Sequence, residues 1–327
     1  MLAIQCHGFG GVDVMRWEEC PTPQPTADEV LINVNAAGLN RADTMQRKGK
    51  YPPPEGASPI MGMEVAGIVA SIGGAVTRWK TGDRVMALLS GGGYAEYAVA
   101  PQGQCMPAPS NLSLAEAATL PEAMATVWAN VFEDAKLVAG ESILIHGGAS
   151  GIGSFAIQMA TLHGAKVFAT GGTKEKCDLC LKLGATYAAN YREQDFVAAI
   201  KEATSGNGVD VVLDMIGGEY VPRNLELLAP RGRHISIATQ KGRTVSVDLR
   251  LVMQKRLMIT GSTLRGRSVA EKSRLLREVE AKVLPWVTSE QLKPLIFKTY
   301  PIKNVAEAHK MMETGAHFGK LVLEVGS

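Results

Sequence analysis

Residues 142–170 read Ser-Ile-Leu-Ile-His-Gly-Gly-Ala-Ser-Gly-Ile-Gly-Ser-Phe-Ala-Ile-Gln-Met-Ala-Thr-Leu-His-Gly-Ala-Lys-Val-Phe-Ala-Thr, and this stretch decides the fold. Ile143 to Ile145 form a short apolar run, as expected of a strand buried on both faces. Gly147, Gly148, Gly151 and Gly153 follow, and then Ile152, Phe155, Ala156, Met159 and Ala160 recur at helical spacing. Gly164 can end that helix, and Lys166 to Ala169 begin a second strand. Strand, glycine turn, helix and strand make the first unit of a dinucleotide-binding fold.

The glycines have a mechanical reason. A pyrophosphate seated at a helix start meets free N–H groups and the positive end of the macrodipole. No side chain can stand between backbone and phosphate, so the turn must be bare. Laid over G-x-G-x-x-G, the segment supplies Gly148, Ser150 and Gly153, with Gly151 added. Ser150 departs from the strict pattern but is small and can offer a hydroxyl to phosphate.

The second strand chooses the nucleotide. A site for NAD carries an acid about 20 residues after the first glycine, to hold the ribose 2′-hydroxyl. Here the strand tip runs Ala169-Thr170-Gly171-Gly172-Thr173-Lys174-Glu175-Lys176, without an acid at the tip. Thr173 offers a hydroxyl, and Lys174 and Lys176 offer charge for a 2′-phosphate. The expected cofactor is NADPH rather than NADH.

Around this unit the chain divides in texture. Residues 1–110 read as mostly β: Glu29 to Val34 alternate, and Glu64–Ile72, Arg84–Leu89 and Tyr94–Val99 are further strands between Gly and Pro turns. Many short strands suggest a partly closed barrel. Ser113, followed by Glu116, caps a helix over Leu114–Leu120, and Pro121 breaks it. A longer helix over Ala123–Ala135 leads into the glycine unit. From 142 to 262 strands (142–146, 166–170, 209–214, 233–238, 257–261) alternate with helices, which predicts a parallel, doubly wound sheet. The expected domains are 1–122 with 285–327, and 123–284.

Composition narrows the class. Net charge is +2 with dispersed Lys and Arg, so neither nucleic acid nor an anionic membrane is an expected partner. No apolar run reaches the length of a membrane span, and the start Met-Leu-Ala-Ile-Gln-Cys-His lacks a signal-peptide pattern. Five Cys, an odd number without framework spacing, imply reduced thiols and a cytoplasmic setting. Cys177-Asp178-Leu179-Cys180 lacks a redox context, and the six histidines show no i, i+4 pair for a metal. Glu64 reads as a structural anchor, and Arg265-Gly266-Arg267 as a solvated turn or a phosphate contact.

These residues resemble the zinc-free quinone oxidoreductase branch of the medium-chain dehydrogenase/reductase superfamily, and within it the stress-inducible NADPH:quinone reductase subgroup. The resemblance rests on Gly38-Leu39-Asn40-Arg41-Ala42-Asp43, Gln46-Arg47-Lys48-Gly49-Lys50-Tyr51-Pro52, Gly62-Met63-Glu64-Val65-Ala66-Gly67, Ala149-Ser150-Gly151-Ile152-Gly153, Gly217-Gly218, Ala308-His309-Lys310 and Gly319-Lys320. It implies an α/β chain with a GroES-like β-rich domain, a Rossmann domain and a cofactor cleft between them. Zinc enzymes of the superfamily hold the metal with Cys and His where this chain has Asn40 and Met63, neither a usual zinc ligand, so no metal is expected.

The implied reaction is NADPH-dependent reduction of a small-molecule quinone, an acceptor already electrophilic enough to need orientation more than acid–base work. Asn40, Tyr51 and Thr126 are the implied catalytic residues: Asn40 bonds a carbonyl or the nicotinamide ribose, Tyr51 stacks on or bonds the quinone, and Thr126 meets the nicotinamide side. Ser150, Gly151, Ile152, Gly153, Gly171 and Thr173 hold the phosphates and ribose, and Tyr191 covers the adenosine phosphate beside Lys176. Ile216, Gly217, Ile237 and Ala238 line the crevice, while Leu264, Phe318 and Lys320 close the nicotinamide end. Two alternatives stand beside this: an NADPH-dependent enone or enoyl C=C reductase, with Tyr51 as the acid, and a non-catalytic NADPH-binding structural protein. The superfamily's Rossmann sheets pair edge to edge, so a homodimer through the strand at 257–261 is expected.

Overall fold

In the computed structural model, which describes residues 1–325, Ser142–Ile145 is an inner strand of a six-stranded parallel sheet. Ile143, Leu144 and Ile145 are fully buried, each removing roughly 1.5–3 kcal/mol worth of apolar surface from water. The sheet order is Tyr187–Asn190, Lys166–Gly171, Ser142–Ile145, Val209–Asp214, Leu228–Ser236, Met258–Gly261. Numbered by sequence within this sheet, that is 3-2-1-4-5-6, the doubly wound order. The order reverses beside Ser142–Ile145, so the crevice lies at the carboxyl ends of the strands that carry His146, Thr170 and Asp214. The α/β class, with a parallel doubly wound sheet and a separate β-rich part, is as expected.

The chain separates into two compact units, first residues 1–125 with the chain from Leu264 onward, and second residues 126–263. The division therefore does not fall at 122 and 284. The helix Val269–Lys282 belongs to the first unit, because it packs on the turn Gln102–Gln104 and the strand Cys105–Pro107 with Leu275, Leu276 and Val279 buried. Pro121 does not break a helix but starts one, Pro121–Val127, since a first-turn residue needs no N–H donor. That helix ends early. Asn130 Nδ2 donates to the Thr126 carbonyl at 2.8 Å, and Trp128–Asp134 continue as a wider π-helical turn.

In the first unit, a seven-stranded sheet is built on Glu29–Leu39. This strand pairs antiparallel with Glu64–Ile72 along its length, with Tyr97–Pro101 at one end and with Lys320–Glu324 at the other. Register then sets the site. Leu39 faces Leu321 and Ala37 faces Val65, so the ends carrying Asn40, Glu64 and Lys320 converge. Leu2–Cys6 and Met15–Glu19 form a separate antiparallel pair.

Candidate active site

In residues 126–263 the glycine turn is held from the neighbouring strand. Gly147 N–H donates to Thr170 Oγ1 at 3.2 Å, and Gly148 N–H to the Thr170 carbonyl at 2.9 Å. A Cβ on Gly153 would stand 2.3 Å from the Gly147 carbonyl oxygen, and one on Gly148 would stand 2.7 Å from Cys180 Sγ. The bare turn is thus required both for its own closure and for helix-to-strand packing. Ser150 caps the helix Gly151–Leu162: its Oγ accepts from Gly153 N–H at 3.0 Å and donates to Met215 Sδ at 3.6 Å. That commits to the helix cap the hydroxyl expected to face phosphate.

At the tip of Lys166–Gly171, Thr173 caps the helix Lys174–Lys182, accepting from Lys176 N–H at 3.3 Å. Lys174 turns outward, 80% exposed, and pairs with Asp178 at 2.7 Å. It therefore does not share the role expected of Lys176. Lys176 is half-buried, and its pKa is lowered by burial and by the nearby charge of Arg192. The Tyr191 hydroxyl closes over Gly172, where a Cβ would meet it at 2.5 Å, and Tyr191 N–H donates to the Gly171 carbonyl at 3.1 Å. Thr170, Tyr191, Ile216, Tyr220, Gln240 and Lys241 line a cavity of ≈ 150 Å³ here, with Lys241 Nζ 4.9 Å from the Tyr220 ring centroid.

The other lip follows Val209–Asp214. Asp214 Oδ1 accepts from Ile216 N–H at 2.6 Å and Gly217 N–H at 3.1 Å. Gly217, at φ +69°, takes the left-handed turn this requires. Ile237 and Ala238 follow the strand Leu228–Ser236 half-buried, and Ile237 N–H donates to the Asp214 carbonyl at 2.8 Å. Thr126 is 8% exposed.

The first unit gathers the remaining residues around buried charge. Lys320 Nζ lies 2.8 Å from Asn40 Oδ1 and 2.5 Å from Glu64 Oε1, and Asn40 Nδ2 donates to Glu64 Oε1 at 2.9 Å. Glu64 Oε2 accepts from Glu122 N–H at 2.9 Å. Both ends of the Asn40 amide are thus engaged, and the Lys320 ammonium is held by Glu64 and Asn40. Met63 is buried. Asp43 accepts from the amides of Asn40 and Gly62 and from the Tyr94 hydroxyl, and burial pushes its pKa up to about 6 against those bonds.

Tyr51 is half-buried, and its pKa is pushed up by burial and by Glu122, against the pull of Arg265. It keeps its proton at neutral pH. The Arg265 guanidinium stands 5.5 Å from the Tyr51 ring centroid and donates to Gln46 Oε1 at 2.7 Å and the Ser90 carbonyl at 2.8 Å. Arg265 is 4% exposed. It is not in a solvated turn, because buried oxygens from Gln46 and Ser90 replace its water. Leu264 is buried, and the Phe318 ring packs edge-on to Phe297 at 4.9 Å.

Sequence reasoning had not singled out Arg192, Asp214 or Thr170. Arg192 adjoins Tyr191, and Asp214 is an acid closing the apolar run Val-Asp-Val-Val-Leu-Asp, which is a readable sign. Among the described residues no three His, Cys, Asp or Glu side chains form a metal-holding group, and no helix is long and apolar enough to cross a membrane.

Residues 26–110 match the alcohol dehydrogenase GroES-like domain family and residues 151–281 the zinc-binding dehydrogenase family. Asn40 and Met63 lie in the first match. A quinone oxidoreductase of Rattus norvegicus is 32% identical over 99% of this chain and 97% of its own length. The crystal structure of Escherichia coli quinone oxidoreductase complexed with NADPH superposes at TM-score 0.87, with 31% identity over 99% of this chain and 100% of that one. That of an NAD-dependent alcohol dehydrogenase gives TM-score 0.89 and 31% identity over 100% of both chains. The chain belongs to the quinone oxidoreductase branch of the medium-chain dehydrogenase/reductase superfamily. It is an NAD(P)H-type oxidoreductase of that fold.

Proposed function

We propose that this protein reduces quinones with NADPH and without a metal. The observation that carries the reading is a half-buried Tyr51 whose ring centroid lies 5.5 Å from the guanidinium of the buried Arg265. A quinone gains negative charge on oxygen as it is reduced. Tyr51 donates a hydrogen bond to that oxygen, and the Arg265 charge lowers the cost of the growing anion. Asn40, fixed by Lys320 and Glu64, bonds the nicotinamide ribose. Asn40 and Met63 supply no usual pair of zinc ligands, which supports the metal-free route.

The glycine turn suits a pyrophosphate, because it opens directly into the helix Gly151–Leu162, whose first-turn amides favour an anion. NADPH when bound supplies the hydride. Lys176 and Arg192 hold its 2′-phosphate, Tyr191 covers that end, and Ile216, Gly217, Ile237 and Ala238 line the crevice. Thr126, Leu264 and Phe318 serve the nicotinamide end. The lack of an acid at the strand tip supports NADPH over NADH.

A second reading is reduction of an enone C=C bond, favoured by the proton retained on Tyr51, which could protonate the α-carbon. Steady-state rates with Tyr51→Phe separate the two. Quinone turnover that persists, slowed, while any enone turnover vanishes supports the quinone reading; the reverse pattern supports the enone reading. NADPH binding without turnover of either acceptor would instead mark a non-catalytic nucleotide-binding protein.

The edge strand Met258–Gly261 leaves Met258 51% and Ile259 44% exposed, and the preceding helix exposes Leu249 and Met253 by 67% and 70%. An apolar open edge of this kind is completed by a second copy, so the proposed state is a homodimer. Elution at monomer mass would contradict it. The five free thiols suit a cytoplasmic setting.

A further inference from the structure

Under the Rossmann sheet lies a set of buried polar side chains that the proposed reaction does not use. His146, Asp214, Asn224 and His234 are all fully buried, and Thr170 is 1% exposed. They come from four adjacent strands and one helix. Their contacts run in a path from Thr170 that closes on a triangle of Asn224, Asp214 and His234. Thr170 Oγ1 is 3.1 Å from His146 Nδ1, and His146 Nε2 is 2.7 Å from Asn224 Oδ1. Asn224 Nδ2 is 3.3 Å from Asp214 Oδ2, which also takes His234 Nε2 at 3.2 Å.

The direction of every proton follows from one end. An ionised carboxylate only accepts. Asn224 Nδ2 and His234 Nε2 therefore both donate to Asp214 Oδ2, where they stand 3.4 Å apart. Asn224 Oδ1 then faces His146, so His146 Nε2 carries the proton. Burial lowers the His146 pKa and keeps the ring neutral, which leaves Nδ1 bare to accept from the Thr170 hydroxyl. The Thr170 oxygen in turn accepts Gly147 N–H. Asp214 Oδ1 takes the amides of Ile216 and Gly217 on the far side. No donor faces another along the path from Gly147 to Asp214.

We infer that Thr170, His146, Asn224 and Asp214 act as one oriented hydrogen-bond chain that positions both lips of the nucleotide crevice, the glycine turn at one end and the Ile216-Gly217 turn at the other. Thr170 and Asn224 are positioning residues joined through His146. This rests on the nucleotide reading above. Breaking the chain at either place frees the same two turns, so the two breaks are not independent.

The test is a double-mutant cycle on the full chain, read as the NADPH Kd by calorimetry, with the thermal midpoint measured without nucleotide. Thr170→Val and Asn224→Leu are each expected to weaken binding about ten-fold, and the double variant by no more than about two-fold beyond the weaker single. Thr170→Ser keeps the hydroxyl and restores binding to within about two-fold of wild type. Should Asn224→Leu not fold, nitrogen NMR of the wild-type His146 ring decides: a proton on Nε2 is expected, and one on Nδ1 overturns the chain. Losses that multiply in the double variant, variants that bind as wild type does, or a Thr170→Ser as weak as Thr170→Val also overturn it. If the wild type itself ignores NADPH, the nucleotide reading fails first and takes this inference with it.

Discussion

Lys320 Nζ and Glu64 Oε1 are 2.5 Å apart, with the two side chains 2% and 0% exposed. Asn40 and the Glu122 amide also donate to the carboxylate. Breaking a buried pair strands one charge, which costs about 3–5 kcal/mol. Lys320→Met should lower unfolding stability by about that amount in denaturant titrations. Adding Glu64→Gln should recover part of the loss, because the stranded carboxylate is then neutral.

Asp43 gives a pH signature. Its folded pKa of about 6 lies above the ordinary 3.8. A carboxyl raised on folding binds more protons folded than unfolded in that window. Its contribution is therefore full below pH about 4 and is lost as pH rises through about 6, a change of about 3 kcal/mol. Comparing the wild type with Asp43→Asn between those two pH values should show the wild type losing stability relative to the variant as pH rises. Parallel curves would refute the assignment.

Gly153→Ala places a Cβ 2.3 Å from the Gly147 carbonyl oxygen, and backbone cannot yield as a flexible side chain does. The glycine turn must open. NADPH affinity should fall by at least about ten-fold, read by titration.

Lys176→Ala removes one of two cations at the strand tip. A charge-assisted bond contributes about 1.5–3 kcal/mol, so the NADPH Kd should rise roughly 10- to 100-fold while the NADH Kd moves little. Equal losses for both nucleotides would remove the case for a 2′-phosphate site.

Much of the fold is legible from residues 142–170 outward, because buried parallel strands and glycine turns have strong local signals. Ser142–Ile145, Lys166–Gly171 and Val209–Asp214 lie within a residue of their expected limits. Tyr187–Asn190 escapes, since Tyr-Ala-Ala-Asn has neither a β-branched residue nor alternation. The helix Arg41–Arg47 also escapes: its buried residues Asp43, Thr44, Gln46 and Arg47 are all polar, so no apolar stripe marks it. The placement of Val269–Lys282 depends on which unit it packs against, and helical periodicity carries no such information. At the site, Asn40 and Lys320 are legible as candidates, but their bonding comes from strand register between residues 280 positions apart. The burial of Arg265 similarly depends on Gln46 and Ser90, which no sequence window joins to it.

The most direct measurement is oxidation of NADPH by a simple benzoquinone or naphthoquinone, using protein dialysed exhaustively against a metal chelator. The account predicts saturable turnover that survives the chelator and prefers NADPH to NADH. NADPH binding with no quinone turnover, or turnover that disappears with the chelator and returns with zinc, would contradict it.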